Sequence, residues 1–242
     1  MPVTHPMAPR NQILAALPPE VIASLLPKLT LVSLRMRQIV YQQGGLIDAV
    51  YFPETGMFSM VTNLADGMQA EVGVVGREGM TGLPLLAGVT TSFVETMVQM
   101  PGAALQMPAR EFREEVQRHA SLRFGLTRYS EALQSQVMQT AACNGRHDLE
   151  ARLARWLLMA QDRLDSDELP LTHDLLAMML GVHRPSITII AGILQRAGLI
   201  RYRSGRITIL DRLGLEAAAC ECYGAVVRRA AGLLQPDGEL PA

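Results

Sequence analysis

The sequence contains few cysteines: Cys143, Cys220 and Cys222. Three thiols do not make the disulfide framework of a small secreted protein. They also fall short of the set of about four clustered cysteines that an iron–sulfur cluster needs. A structural zinc site needs about four ligands, and no histidine lies close to Cys220 and Cys222 in the sequence. We therefore expect packed free thiols and no metal site.

Long hydrophobic runs and a strong net charge are missing as well. No apolar run approaches the roughly 18 residues of a membrane span, and residues 1–10 lack the hydrophobic core of a secretory signal. We therefore expect a cytoplasmic protein with no membrane partner. The chain has 242 residues, of which 49% are hydrophobic and 19% charged, and its net charge is −1. This composition fits two folded domains, each with a core.

Catalytic motifs are also lacking. The sequence shows no Ser/His/Asp arrangement with recognisable context, no paired-histidine metal motif and no complete nucleotide-binding loop. The spacing Gly76-x-x-Gly79-x-x-Gly82 has no Lys-Ser/Thr ending, so turn glycines explain it better than a phosphate loop does. We expect no enzyme; a nucleotide-using enzyme stays the less favoured alternative.

Residues 172–198 have the pattern of two short helices joined by a tight turn. Thr172 is placed to cap the first helix, whose apolar residues recur at helical spacing. Gly181 supplies the turn, and Pro185 fits the first turn of the second helix because proline loses no needed donor there. Two helices at this spacing predict a helix-turn-helix, in which the second helix enters the major groove of DNA.

The following segment predicts a basic wing. Residues 200–210 alternate like a hairpin around Arg203-Ser204-Gly205. Between Thr172 and Arg212 there are six arginines and two acids in a chain that is nearly neutral overall, which is the expected electrostatic footprint of phosphate contact. We therefore predict that the protein binds double-stranded DNA. Two alternatives stay open: an ordinary helical pair in another core, and a ligand-sensing module that contacts a protein.

The N-terminal half is rich in strand signals. After a short helix predicted at 13–26, turn residues at Gly44-Gly45, at Pro53-Glu54-Thr55-Gly56 and at Asp66-Gly67 separate apolar or alternating runs. These runs are Leu31–Tyr41, Val50–Phe52, Met57–Thr62, Met68–Val75, Ser92–Met100 and Ala103–Met107. Many short strands at close spacing predict a small antiparallel roll or barrel, which suits a ligand pocket.

A long helical stretch without internal proline lies between the two halves. Its apolar residues recur nearly as in a coiled-coil seam, which predicts a dimer interface of Leu122, Leu126, Tyr129, Leu133 and Val137. A helix packed inside one subunit is the alternative, but pairing gains weight because paired helix-turn-helix units read paired half-sites. Asn144-Gly145 is predicted to break this helix as a hinge, and a new helix is predicted to start near Asp148.

This order of parts resembles the Crp/Fnr family of bacterial transcription regulators. The strongest piece is LTHDLLAMMLGVHRPSITIIAGILQRAGLIRYRSGRITILDR, and VYFPETG and VGREGMTGLPLL resemble a branch with a divergent sensor domain. The resemblance implies an α+β protein with a cyclic-nucleotide-binding-like β-roll over residues 11–116, a dimerisation helix and hinge over 117–144, a winged helix-turn-helix over 145–223 and a tail over 224–242. It also implies a homodimer on an inverted-repeat DNA site that recruits or blocks RNA polymerase.

The resemblance implies DNA contacts by Thr172, His183, Arg184, Ser186, Thr188, Arg203 and Arg206. Arg184 matches the family well, and its guanidinium can bond guanine O6 and N7 or clamp a phosphate. The wing arginines are expected to hold phosphate. Many family members have a glutamate at the position of Pro185 and an arginine at the position of Ile189, so we expect a different operator sequence.

The sensor domain departs further from the family. Cyclic-nucleotide binders carry a glutamate after a glycine that matches Gly82, where this chain has Leu83. Their phosphate-binding arginine falls near Thr91-Ser92, and burying a phosphate without a cation costs several kcal/mol. We therefore expect no cofactor and no binding of cyclic AMP in the usual way, with activity controlled by an unidentified signal at the β-roll.

Overall fold

The N-terminal part of the computed structural model, which describes residues 9–65 and 67–234, is an antiparallel β-roll. Its sheet has the order β1 (Thr30–Leu34), β5 (Glu95–Pro108), β3 (Ala49–Asn63) and β4 (Gln69–Val75), and β2 (Ile39–Tyr41) also pairs with β5. Phe52, Phe58 and Met107 are buried between its layers. The predicted roll is confirmed. Asp66 of the predicted Asp66-Gly67 turn lies outside the described residues.

The turn predicted at residues 53–56 is wrong, because β3 runs through it as one strand of 15 residues. The pairing of β3 with β5 shifts register at this point, as in a β-bulge. Gly56 has φ +81°, and a Cβ there would lie 2.6 Å from the carbonyl oxygen of Met100. Glycine at this position therefore lets two backbones approach closely within a continuous strand.

Short helices flank the roll. The helix predicted at residues 13–26 is divided into α1 (Gln12–Ala15) and α2 (Pro19–Leu25), followed by a 3-10 turn at Leu26–Lys28. Pro18 and Pro19 separate the two, since a proline disfavours helical backbone in the residue before it. A second 3-10 turn spans Leu83–Ala87, and α3 spans Ala109–Arg118.

The long helix α4 (Ala120–Arg146) packs on the β-roll of its own chain. Leu122, Leu126, Tyr129 and Leu133 are each at most 8% exposed in that core, and half-buried Val137 packs beside Gly73 of β4. These side chains have little surface left for a partner subunit. Within one chain this seam is therefore packed internally, which is the alternative to the predicted dimer interface.

The helix break predicted at Asn144-Gly145 is also wrong. α4 continues to Arg146, and α5 (Leu149–Gln161) starts after Asp148, whose side chain accepts a hydrogen bond from the backbone N–H of Ala151. The start near Asp148 is thus confirmed. The final helix α9 (Cys222–Leu234) lies along α4 and crosses the predicted boundary at residue 223; residues 235–242 of the predicted tail lie outside the described part.

The C-terminal part is a winged helix-turn-helix. Helices α6 (His173–Leu180) and α7 (Arg184–Arg196) pack with a three-stranded sheet and with α8 (Arg212–Ala218). The strand order is β6 (Glu168–Leu169), β8 (Arg206–Ile209), β7 (Ile200–Arg203).

Across the described ranges, no single helix is long and apolar enough to cross a membrane. The α6–α7 pair passes that test on length and composition, but it bends by 106°.

The two parts share one apolar core. Met57, Val61 and Val74 of the β-roll pack in the same cluster as residues of α5, α6 and α7. At the edge of this core the buried carboxylate of Glu71 on β4 accepts hydrogen bonds from Ser59 Oγ and from Trp156 Nε1 of α5, both at 2.5 Å. The winged helix-turn-helix is therefore docked on the edge strand of the β-roll sheet.

Candidate DNA-binding interface

The turn between α6 and α7 has the geometry that its residues predict. Thr172 Oγ1 accepts a hydrogen bond of 3.2 Å from the backbone N–H of Leu175, which caps α6. Gly181 ends α6 in the left-handed region at φ 63°. The 106° between the two helices lies within the range that helix-turn-helix units use.

Helix α7 has one buried and one exposed face. Ile187, Ala191 and Leu194 are buried against the rest of the module. Arg184 and Ile189 point outward, with 65% and 63% of their side chains exposed, and Thr188 is exposed on the same side. An exposed apolar isoleucine beside an arginine is a surface that can reach the edges of base pairs, including the thymine methyl group.

The start of α7 is open to solvent. His183 is exposed at the N-cap position and makes no side-chain capping bond. Half-buried Ser186 donates its backbone N–H to His183 O at 3.0 Å, and its hydroxyl has no hydrogen bond among the contacts of the described chain. A helix N-terminus with exposed donors favours anions such as phosphate. His183, Arg184 and Ser186 thus lie together, as predicted.

His173 is a residue that the sequence analysis did not assign to this interface. Its Nδ1 lies 3.0 Å from Thr188 Oγ1, and its ring stacks on Tyr202 of β7 with 4.0 Å between centroids. Burial lowers the pKa of His173, and the positive charge of Arg184 lowers it further. A neutral imidazole therefore ties α6 to both α7 and the wing. In the sequence, the aromatic side chain of Tyr202 was the feature that could have indicated this contact.

Arg184 is held by a weak partner. Its Nε lies 3.4 Å from Asp174 Oδ1, and both side chains are well exposed. Exposed ion pairs contribute about 0–1 kcal/mol. Arg184 can therefore leave Asp174 and bind a phosphate or a guanine edge at little cost in free energy.

The wing is a two-residue hairpin between β7 and β8. Ser204 and Gly205 have φ of 50° and 76°, the combination that a type I′ turn needs. Arg203 and Arg206 flank the turn and are exposed. Arg206 Nη1 lies 2.5 Å from Glu168 Oε1, whereas Arg203 makes no ion pair with the residues that the structure describes. A Cβ at Gly205 would lie 3.4 Å from Thr172 Cγ2, so the wing adjoins the start of α6.

Not all of the six arginines between Thr172 and Arg212 are available to contact DNA. Arg212 bonds Asp162 at 2.8 Å, Glu216 at 2.9 Å and the hydroxyl of Tyr223 at 2.6 Å. It therefore links α8 to α5 and α9, away from the wing. The positive surface consists of the arginines on α7 and the wing.

The β-roll contains a cavity of about 300 Å³ next to α4. Its lining includes Leu83, Ser92 and Phe93 and carries no charged side chain. The hydroxyl of Ser92 donates to Val94 O at 2.6 Å, and that of Tyr41 lies 3.0 Å from Thr81 Oγ1. Leu83 stands at the position of the family's glutamate, and Ser92 lies near the position of its arginine. Both residues thus line a largely apolar space.

The structure places a histidine beside the three cysteines, which their spacing in the sequence does not indicate. His147, at the end of α4, lies with Cys143, Cys220 and Cys222, and the ligand atoms of all four are within 4.8 Å of one another. A histidine therefore does complete the set, although it is 75 residues away from Cys222 in the sequence. The expectation of buried thiols is met, since all three are buried.

Comparison with protein families matches both halves of the chain. The model described as a cyclic nucleotide-binding domain matches residues 31–119, and the model described as a Crp-like helix-turn-helix domain matches residues 151–218. Comparison with curated proteins found no match.

Solved structures share this fold over most of the chain. A CRP family transcriptional regulator from Thermus thermophilus is 22% identical, with TM-score 0.65, over 78% of this chain and 96% of that one. FixK2 from Bradyrhizobium japonicum is 15% identical, with TM-score 0.68, over 79% and 98%. The c-di-GMP responsive regulator CLP from Xanthomonas campestris is 17% identical, with TM-score 0.60, over 79% and 99%.

The two domains, β-roll and winged helix-turn-helix, are joined by the long helix α4. The winged module exposes a recognition helix that carries arginine. The chain is a DNA-binding transcription regulator of the Crp/Fnr family.

Proposed function

We propose that two copies of this protein bind an inverted-repeat DNA site, each placing α7 in a major groove. The observation that carries this proposal is the exposed face of α7, where Arg184, Thr188 and Ile189 stand beside the wing. The 106° bend holds α7 away from α6, so α7 can enter the groove while α6 crosses the backbone.

The side chains at this surface have separate roles. Arg184 reads a guanine, Thr188 and Ile189 contact thymine methyl groups, and each good bidentate pair gives about 1–3 kcal/mol of discrimination. Arg203, Arg206, Thr172 and the open start of α7 at His183 and Ser186 position the module on phosphates. His173 holds Thr188 in place.

The dimer contact falls on the outer face of α4. Phe124 and Met138 expose 62% and 60% of their side chains there, while the opposite face is buried in the roll. Two long helices meeting through this face would set two α7 helices one DNA turn apart.

RNA polymerase as a partner is a proposal that rests on membership of the family.

The β-roll cavity is the proposed site of the controlling signal. Since its lining carries no charge, a cyclic phosphate would be buried there without a cation, which costs several kcal/mol. We therefore assign the cavity to an uncharged, mainly apolar ligand instead of a cyclic nucleotide. Thermal-shift screening should show stabilisation by apolar ligands and none by cyclic AMP or cyclic GMP; stabilisation by a cyclic nucleotide would contradict the assignment.

DNA binding is tested by selection from random duplexes, followed by gel shifts over a salt titration. We expect an inverted repeat and an affinity that falls steeply with salt, because bound counterions are released. Arg184→Ala should lower specific affinity by about 10- to 100-fold and relax one base position. Arg110→Ala, which removes an arginine with 85% side-chain exposure on α3, is the matched control and should change neither.

One result would reject this function, and another would reject the base contact assigned to Arg184. Absent or salt-insensitive binding would favour the protein-interaction alternative. An equal loss on all sequences in Arg184→Ala would show that this residue contacts phosphate only. For the dimer, Met138→Glu should give monomers in sedimentation, whereas Leu46→Glu, at an exposed apolar residue outside α4, should leave dimers. Unchanged dimers in Met138→Glu would refute the assigned face.

A further inference from the structure

The three cysteines and His147 form a compact cluster at the end of α4. Cys143 lies in the last turn of α4, His147 follows its final residue, and Cys220 and Cys222 lie where α8 leads into α9. Cys143 Sγ is 3.5 Å from Cys220 Sγ, and Cys222 Sγ is 3.5 Å from His147 Nδ1. Each member of the cluster therefore offers one ligand atom to a common centre.

These distances fit a tetrahedral metal ion. Zinc lies about 2.3 Å from a thiolate sulfur and about 2.0–2.1 Å from an imidazole nitrogen. In a tetrahedron these lengths place two sulfurs about 3.8 Å apart and a sulfur and a nitrogen about 3.5 Å apart. The observed spacings come close to these values, so coordination needs only small movements of the side chains.

The surroundings of the cluster resemble the outer shell of a metal site. His147 Nε2 lies 3.2 Å from Glu221 Oε1, so the other ring nitrogen, Nδ1, is left facing the thiols. A metal-binding histidine almost always donates its second N–H to a carboxylate, a carbonyl or water. Gln139 Nε2 donates to Cys222 Sγ at 3.0 Å, which is the bond that a thiolate ligand accepts.

A buried cation beside the cluster supplies an independent observation. Arg155 on α5 is 5% exposed, its Nε has no hydrogen-bond partner, and it makes no ion pair among the described residues. Burial raises the pKa of the Cys143 thiol, and the charge of nearby Arg155 opposes this shift. Three thiolates around a divalent ion carry a net charge of −1, which favours a guanidinium beside them in addition to its interaction with Glu71. Three neutral thiols would give this guanidinium no counter-charge from the cluster.

We propose that Cys143, His147, Cys220 and Cys222 bind one Zn²⁺ ion that fastens the start of α9 to the end of α4. Three sulfurs and one nitrogen in tetrahedral positions are a ligand set that selects zinc, and a set of four protein ligands closes the site structurally. On binding, each thiol releases its proton to water and His147 stays neutral, so no electron is transferred. This site is independent of which DNA the protein recognises.

The first measurement uses the unaltered full-length chain. After reduction and removal of metal with a chelator, the protein is titrated with zinc chloride under anaerobic conditions and its metal content is determined. We expect one zinc per chain. Cobalt(II) in place of zinc should give visible d–d bands of tetrahedral intensity and thiolate-to-cobalt charge-transfer absorption. These spectra report the ligands without any substitution, so they remain decisive if a variant does not fold.

The second measurement uses variants. His147→Asn and Cys143→Ser should lower zinc affinity by at least about 100-fold, and Glu221→Gln by about 10- to 100-fold, since it removes only the outer-shell bond. His183→Asn is the matched histidine control and should bind zinc as the wild type does, because His183 lies on α7. Circular dichroism confirms the fold of each variant.

Several results would overturn the proposal. These are no zinc bound by the reduced wild-type chain, equal zinc affinity in His147→Asn, and an octahedral cobalt spectrum. Iron with iron–sulfur absorption in place of zinc would also overturn it. A Cys143–Cys220 disulfide in freshly isolated protein, combined with no zinc uptake after reduction, would show that the cluster serves thiol oxidation instead.

Discussion

Glu71 should make the stability of this protein fall as the pH rises through neutrality. Its side chain is fully buried between β4 and α5, where burial raises the pKa to about 7 from an ordinary 4.5. Hydrogen bonds from Ser59 and Trp156 and the charges of Arg163 and Arg155 oppose this shift without cancelling it. The folded protein therefore holds a proton on Glu71 that the unfolded chain releases at much lower pH.

The magnitude follows from this difference in pKa. Because the folded pKa exceeds the unfolded one, the contribution to stability is full below about pH 4.5 and is lost as the pH rises through about 7. A difference of about 2.5 units corresponds to about 3 kcal/mol in total. Between about pH 5.5 and about pH 8 the free energy of unfolding should fall by about 2 kcal/mol on account of this residue.

Glu71→Gln isolates the effect, since glutamine keeps the shape and the hydrogen-bonding atoms but carries no ionisable group. Urea denaturation of both proteins at the two pH values gives the test. We expect the variant to be more stable than the wild type by about 1 kcal/mol near pH 5.5 and by about 3 kcal/mol near pH 8, so the difference grows by about 2 kcal/mol between the two pH values. Parallel pH profiles for the two proteins would refute the reasoning, because Glu71 would then titrate alike in the folded and unfolded chains.

The packing of α4 on the roll gives three further expectations, each measured by urea denaturation. Leu126→Ala should cost about 2–5 kcal/mol because Leu126 is fully buried in the roll core, and a cost below about 1 kcal/mol would contradict that position. Gly79→Ala should destabilise strongly, since its Cβ would lie 2.0 Å from Tyr129 Cζ; a neutral result would mean that Tyr129 packs elsewhere. Gly125→Ala, where a Cβ meets nothing within 4 Å, should stabilise α4 by about 0.5–1 kcal/mol, and a loss would show a contact at this face.

The winged module was predictable because its signals are local. Thr172, Gly181 and Pro185 each determine the backbone within a few residues, as caps and turn formers do. The wing turn at Ser204-Gly205 likewise depends on two adjacent residues with positive φ. The predicted elements in this region therefore match the structure closely.

Features that depend on distant segments were not predictable in this way. Gly56 looked like a turn residue, but its conformation is set by the backbone of β5, which approaches it across the sheet. Asn144 looked like a hinge, but it stays helical and accepts a hydrogen bond of 3.1 Å from Arg152 Nε of α5. Apolar residues that recur at helical spacing show that one face of the helix is buried. They do not show whether that face is covered by the same chain or by a partner subunit.

The proposed zinc ligands were missed for the same reason. Cys143 and His147 are four residues apart at the end of one helix, a spacing that places them on the same face. Cys220 and Cys222 reach them only because α9 folds back along α4. The short-range rule that ligands cluster in sequence fails where two distant elements each contribute a pair.

Helix α5 contacts both the β-roll and the winged helix-turn-helix. Trp156 bonds Glu71 of β4, while its neighbour Arg155 bonds Thr140 of α4 at 3.0 Å. Arg152 Nη2 donates to the last carbonyl of α6, Leu180 O, at 2.5 Å. We therefore expect a displacement of β4 to reach the turn before α7 through this one helix.

A conformational change needs a contact that differs between two states, and the ionisation of Glu71 supplies one within this path. Charge on Glu71 weakens the docking of α5 on β4, so the DNA affinity of the wild type should change between about pH 5.5 and about pH 8 by more than that of Glu71→Gln. Both proteins contain the same DNA contacts, and the difference between their pH profiles therefore isolates the coupling. Identical profiles in gel shifts on the selected site would show that α5 does not connect the β-roll to α7.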